Sequence, residues 1–325
     1  VKKLLLALTA VVLFASSAVA GERIVEVVNA DEVFQRGYIQ VIGESEAGQS
    51  RYRAKRAAEV VAQRRMLEIF QGLRLSGKTT VRDGMLSSDR IRTTVKGTLR
   101  GAVPCGESFD RTEGYARVCL RLNLHGNDSV YGAFDEIIRK EPEALNIRNI
   151  PAFKPETLPA IIAPVVEDKK EEVAAKVETP VKEEAPAKVA EKVEAPVQTT
   201  ETASQKIQEA VATPVDGIIV DVRDFDFKPA LVNRILTDKN EVLFDPSKVL
   251  NQVLIERGCG GYTTDLQKAR ALLESWGSKS PMVLKGKTVQ NVTDAVVSVD
   301  DAATVFAYDQ KYNLLAQARV VFVLK

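Results

Sequence analysis

The tract from Pro155 to Pro214 limits most strongly what this chain can fold into. It is dominated by Pro, Glu, Lys, Ala and Val, carries no aromatic residue, and echoes VETPV at 177–181 as VEAPV at 193–197. Such a segment cannot bury enough apolar surface to offset the entropy of ordering it. A disordered Pro/Glu/Lys linker is therefore expected over 155–214, with a reach of about 180 Å if extended and about 40 Å as a coil. A small domain is expected on each side, at 22–150 and 215–325, and the reach of the tract would let the two work far apart.

The first residues predict the compartment. Lys2 and Lys3 precede an apolar run from Leu4 to Phe14, and small residues follow to Ala18-Val19-Ala20. A charged start, an apolar centre and an A-x-A site make a secretory signal peptide over 1–20, cut before Gly21. The run is too short to span a bilayer comfortably. No second run of that kind appears, so no transmembrane segment is expected in the mature chain, while peripheral membrane association stays open. Lys and Arg number 45 against 44 Asp and Glu, and loss of Lys2 and Lys3 turns the net charge from +1 to −1. That balance gives no global pull toward nucleic acid.

Within 22–150, YIQVIGES at 38–45 alternates as a strand does, and a helix is expected from about Ser50 to Leu73. Ala58, Ala62, Met66, Ile69 and Leu73 form its apolar stripe, with small residues at one end that would let a sheet approach closely. Ile91, Val95, Leu99 and Val103 on odd positions, and Ala116, Val118, Leu120, Leu122 and Leu124 on even ones, read as strands. The domain is thus α+β, a helix on an antiparallel sheet. In 215–325, strands are expected at 217–222, 295–299 and 318–325. Asp245-Pro246 should start a helix that Gly258 stops, Thr264 to Gln267 a capping box for a second ending near Gly277, and Asp300 or Asp301 should cap a third. This domain is α/β.

Two of the three cysteines, Cys105 and Cys119, flank the turn-like centre of AVPCGESFDRTEGYARVCL. Zinc and iron–sulfur sites need more Cys or His ligands at closer spacing than these two, Cys259 and the single His125 supply, and C-x-x-C is missing. A structural disulfide is the expected outcome in an oxidising compartment. With the turn centred on Thr112, Cys105 faces Cys119, Glu107 faces Arg117 and Phe109 faces Tyr115. The apolar faces of the two strands then conflict, and a bulge near Pro104 to Gly106 would reconcile them. Cys259 is left as an odd thiol, either buried and inert or bridging to a second chain.

Other motifs point to no reaction. GLRLSGKT at 72–79 has the letters of a phosphate-binding loop, but that chemistry needs a strand before and a helix after, whereas a helix precedes it here and a strand-like TTVRD is expected to follow. The basic residues Arg51, Arg53, Lys55, Arg56, Arg64 and Arg65 are interleaved with Glu59 and Glu68, as on a solvated face, though a patch for an acidic partner has the same letters. Asp221, Asp224 and Asp226 lack the pattern of a calcium loop. No nucleophile elbow occurs. No catalytic, cofactor-binding or metal-binding residue is assigned, and no cofactor is expected.

The order VIGES, then RAKRAAEVVAQRRMLEIF, then YARVCLRLNL resembles the lipoprotein 20 family and the N-terminal module of flagellar assembly protein T. DGIIVDVRDFDFKPALVNRILTDKNEVLF, the GGY loop, SPMVLKGKTV, VSVDDAATVF and VVFVLK are similar to a C-terminal module of exported bacterial proteins of that kind. The resemblance implies a periplasmic or outer-membrane-associated protein without catalysis, a scaffold or assembly factor with envelope partners, flagellar or outer-membrane. It carries over no functional residue, and the chain lacks a lipobox cysteine. The alternative is a periplasmic small-ligand-binding protein or enzyme with its pocket in the C-terminal domain.

Overall fold

A computed structural model describes residues 24–157, 159 and 214–325. The expected signal peptide at 1–20 and nearly all of the expected linker at 155–214 lie outside the described residues.

The N-terminal body begins with a helix that sequence reading does not anticipate, α1 (Ala30–Arg36), capped by the Asn29 side chain. Then come β1 (Tyr38–Glu44), α2 (Arg51–Gly72), a small hairpin of β2 (Arg74–Ser76) and β3 (Thr79–Thr80), α3 (Val81–Ser87), α4 (Asp89–Arg100), β4 (Val103–Asp110), β5 (Tyr115–Asn123) and α5 (Val130–Lys140). The sheet is antiparallel in the order β1-β5-β4, and α2 lies across it. A Cβ built on Gly43 of β1 would collide with the Ala58 carbonyl oxygen and the Ala62 nitrogen. Glycine in the strand and the buried Ala54, Ala58 and Ala62 in the helix therefore bring backbone onto backbone. The stripe ends differently from the expectation: Phe70 is buried and Ile69 only half-buried.

Two expectations are overturned. Residues 89–100 are helix α4, not strand, and Ile91, Val95 and Leu99 lie along one helical face. The β4–β5 register beyond the bulge is shifted by one from the expected one: Gly106 faces Cys119, Glu107 faces Val118 and Phe109 faces Ala116. Glu107 pairs with Lys55 and Arg117 with Glu44 instead. The irregularity falls between Pro104 and Gly106, the expected place for a bulge, and this is what moves Cys105 out of the paired positions.

The C-terminal body holds β6 (Gly217–Asp221), β7 (Arg234–Thr237), β8 (Val242–Phe244), α6 (Asn251–Arg257), β9 (Gly261–Thr263), α7 (Leu266–Ser275), β10 (Pro281–Lys285), β11 (Thr288–Gln290), β12 (Asp294–Val297), α8 (Val299–Tyr312) and β13 (Val320–Val323). One sheet is parallel, in the order β10-β6-β13-β9; the second, β11-β12-β7-β8, is mixed. The two central strands of the parallel sheet, β6 and β13, are apolar on both faces because both are covered. Ile218, Val220, Val320 and Phe322 face the main core, while Ile219, Val321 and Val323 face Ala269 and Leu273 of α7. Asp245 caps and Pro246 opens a short 3-10 turn, Pro246–Lys248, α6 follows from Asn251, and Gly258 ends it as expected; the caps of the next two helices fall one to three residues from those expected. Asp265 rather than Thr264 caps α7, and Ser298 caps α8 with Asp301 inside its first turn.

The α+β and α/β bodies are as expected, but they are not far apart. The described residues on either side of the tract form one compact unit, and a single hydrophobic cluster runs from Val33, Phe70 and Phe134 through to Tyr262, Val305 and Phe322. Phe34 meets Tyr262 edge to face at 5.6 Å, and Phe153 meets Phe306 at 6.1 Å. The backbone is shared as well: Phe153 N–H donates to the Val242 carbonyl at 2.8 Å, and Val242 N–H to the Pro151 carbonyl at 2.8 Å. The N-terminal body thus runs past 150 and lays Ala152 beside β8.

Candidate functional site: a polar cleft where the two bodies meet

The β2–β3 hairpin of the N-terminal body is docked by its backbone. Leu231 N–H donates to the Arg74 carbonyl and Val232 N–H to that of Leu75, both at 2.9 Å. Gly77, with φ of +55°, makes the turn, and its N–H donates to the Thr293 hydroxyl at 2.7 Å. Beside it Asn146, also left-handed, donates its side-chain amide to the Thr79 hydroxyl at 3.0 Å, while the Ser76 hydroxyl bonds the Leu145 carbonyl.

From the C-terminal body, β7 opens with Arg234 and β12 with Asp294. Their side chains are each 5 % exposed and paired at 2.9 Å from Nη2 to Oδ2, with Nε at 3.4 Å from Oδ1. Nη1 of Arg234 donates to the Arg148 carbonyl at 2.9 Å, and the Asn291 amide donates to Asp294 at 3.2 Å. The turn that presents Asn291 is strained: Asn291 and Val292 have φ of 50° and 61°, and for a β-branched residue that is an outlier. Asn233 fixes this corner from beneath, accepting from Ala230 N–H and the Tyr262 hydroxyl and donating to the carbonyls of Lys228 and Thr293.

Between these pieces lies a cleft of about 200 Å³, walled by Ser76 to Thr79, Asn146 to Arg148, Arg234, Asn291 and Asp294. Three cations, Lys78, Arg148 and Arg234, face one carboxylate, Asp294. Half of the GLRLSGKT motif therefore lines a cleft after all, although not as a nucleotide loop. Helix α2 precedes it, a hairpin contains it, and the expected strand TTVRD is a strand only at Thr79–Thr80 before α3 begins, capped by Thr80. Leu73 and Leu75 are core residues.

Cys105 and Cys119 form the disulfide, with Cα atoms 5.1 Å apart, and it ties β4 to the central strand β5. Cys259 is buried, its thiol donates to the Leu231 carbonyl at 2.8 Å, and burial pushes its pKa well up. His125 packs where the bodies meet, stacked on Tyr131 at 5.3 Å, and the N–H of the next residue, Gly126, donates to the Ile255 carbonyl. Its Nδ1 is buried without a partner, and burial lowers its pKa to about 4. Asp221, Asp224 and Asp226 do not converge; each pairs with a cation, respectively Arg223, Lys285 and Lys228. Of the basic residues on α2, Lys55, Arg56 and Arg65 are paired with Glu107, Glu59 and Glu26. Among the described residues no helix is long and apolar enough to cross a membrane.

With a parallel sheet covered on one face by α7 and on the other by the common core, the second body is an α/β module. Residues 217–325 match the family model of the second domain of Treponema pallidum Tp0624. No curated protein matches the chain. The family match lies wholly in the C-terminal body; the likeness of the first body to the lipoprotein 20 family and to flagellar assembly protein T has no counterpart among these matches.

Proposed function

We propose that the chain is an exported, non-catalytic cell-envelope protein, a scaffold or assembly factor that acts as one rigid two-bodied unit. The common core carries this reading: Phe34, Tyr131 and Phe153 bury the N-terminal body against the C-terminal one, so a partner held on either body is held in fixed register with the other. The Cys105–Cys119 bridge supports export, since such bridges form and persist in oxidising compartments. The polar groups of the cleft support binding rather than turnover. Arg234 and Asp294 hold each other, and Asn146 and Asn291 are hydrogen-bonded, which makes a set of oriented donors. Flagellar or outer-membrane partners rest on the sequence resemblance alone.

The test is photo-crosslinking in cells that export the chain, from Tyr52 on the first body and Val283 on the second, both exposed. Discrete protein adducts from either position are expected. Absence of adducts from both, together with turnover of a small metabolite by the purified chain, would overturn the scaffold reading.

A further inference from the structure

We propose that the cleft between the bodies binds an oxyanion, the phosphate or carboxylate group of a small ligand, between Lys78, Arg148 and the free edge of the Arg234 guanidinium. A guanidinium has five N–H donors, and the bonds of Arg234 to Asp294 and to the Arg148 carbonyl engage one on each nitrogen. Two donors are left on a side chain that is 5 % exposed and borders the cleft. A buried donor without a partner is costly, and an oxyanion accepts charge-assisted hydrogen bonds from guanidinium N–H groups of this kind.

The field of the cleft points the same way. Asp294 is offset by Arg234 and by the Asn291 amide, so the exposed heads of Lys78 and Arg148 leave the site positive. Neither head forms an ion pair among the described residues. The strained left-handed pair Asn291–Val292 keeps the amide on Asp294, and strain of this kind collects where a site is held ready in advance. Size restricts the ligand. At about 200 Å³ the cleft is below the usual range of cofactor pockets, which fits one small anion or the charged end of a chain rather than a nucleotide. Binding of this kind goes beyond the scaffold reading and does not depend on it.

The experiment is isothermal titration calorimetry on the full chain without its leader, at low salt. Three probes are used: inorganic phosphate, an N-acetylated dialanine with a free carboxylate, and the same peptide as its C-terminal amide. Saturable binding of phosphate or of the acid peptide is expected, the responding probe identifying the source of the oxyanion, with none for the amide. The double variant Lys78→Gln/Arg148→Gln, its fold checked by thermal melting, should bind about tenfold more weakly or worse, the loss expected for one charge-assisted hydrogen bond. Arg53→Gln, which removes an exposed cation from α2, should bind as the parent does. No saturable heat with either oxyanion, equal binding of the amide, or an unchanged affinity in the double variant would each overturn the proposal.

Discussion

His125 should make the stability of this protein depend on pH across the weakly acidic range. In the fold its pKa is lowered from 6.5 to about 4 by burial, and its Nδ1 has no partner to stabilise a proton. The unfolded chain therefore binds a proton between pH 6.5 and about 4 that the folded chain does not, and stability rises with pH over that window. Above 6.5 both states are neutral and the contribution is flat; below about 4 both are charged and the loss is complete. Each tenfold drop in proton affinity on folding is worth about 1.4 kcal/mol, so the full loss is about 3 kcal/mol, with about 2 kcal/mol gone at roughly pH 5. Urea melts from neutral pH down to about pH 4.5 measure it directly. His125→Phe keeps an aromatic face against Tyr131 and cannot titrate, so the parent-minus-variant difference isolates the imidazole from carboxylates such as Glu26 and Asp216, whose lowered pKa values act at lower pH. If that difference is flat across the window, burial of a neutral imidazole is not what the fold maintains.

Three further outcomes follow from the packing. Reducing the Cys105–Cys119 bridge should lower stability by about 3 kcal/mol, as for a closed loop of this length, and alkylation before denaturation should label neither Cys259 nor the bridged pair; denaturant melts with and without reductant, with peptide mapping, check both. Gly43→Ala should cost more than about 3 kcal/mol in a denaturant melt, because its Cβ would meet α2 backbone that cannot move without lifting the helix from the sheet. Arg234→Met alone should cost about 3–5 kcal/mol by leaving Asp294 buried and uncompensated, whereas Arg234→Met with Asp294→Leu should recover most of it, read as the midpoint of thermal unfolding.

What was legible in the sequence is what short-range pattern encodes. Strand β5 shows buried apolar residues on alternate positions, and α2 shows its alanine stripe opposite a charged face. That Ile91, Val95 and Leu99 read as strand but fold as helix has a definite cause. Apolar residues four apart satisfy a period of two and a period of 3.6 alike, and the deciding positions are those between. A strand with Ile91, Val95 and Leu99 on its inner face would also bury Thr93 and Gly97, and neither is buried here. The β4–β5 register differs by one from that of directly paired cysteines because the bulge at Cys105 takes one residue out of the count. The cleft was illegible for another reason: Gly77 and Thr293 are 216 residues apart, and Arg234 and Asp294 are 60, so no local pattern joins them.

The shared core also changes what the Pro/Glu/Lys tract can be for. A tether between separable modules sets how often they meet, and its length tunes an effective concentration. Here the chain before the tract is bonded at Phe153 to β8, and the chain after it enters at Gly217 the sheet beside β13, so both ends are anchored in one unit. For a flexible connection between two fixed points, closure costs only about 0.6 kcal/mol more for each doubling of length. Folding stability therefore constrains its length weakly, and shortening it should change stability little while leaving the junction cleft in place. The register of the two bodies is carried by the packing of Phe34, Tyr131 and Phe153 in the common core.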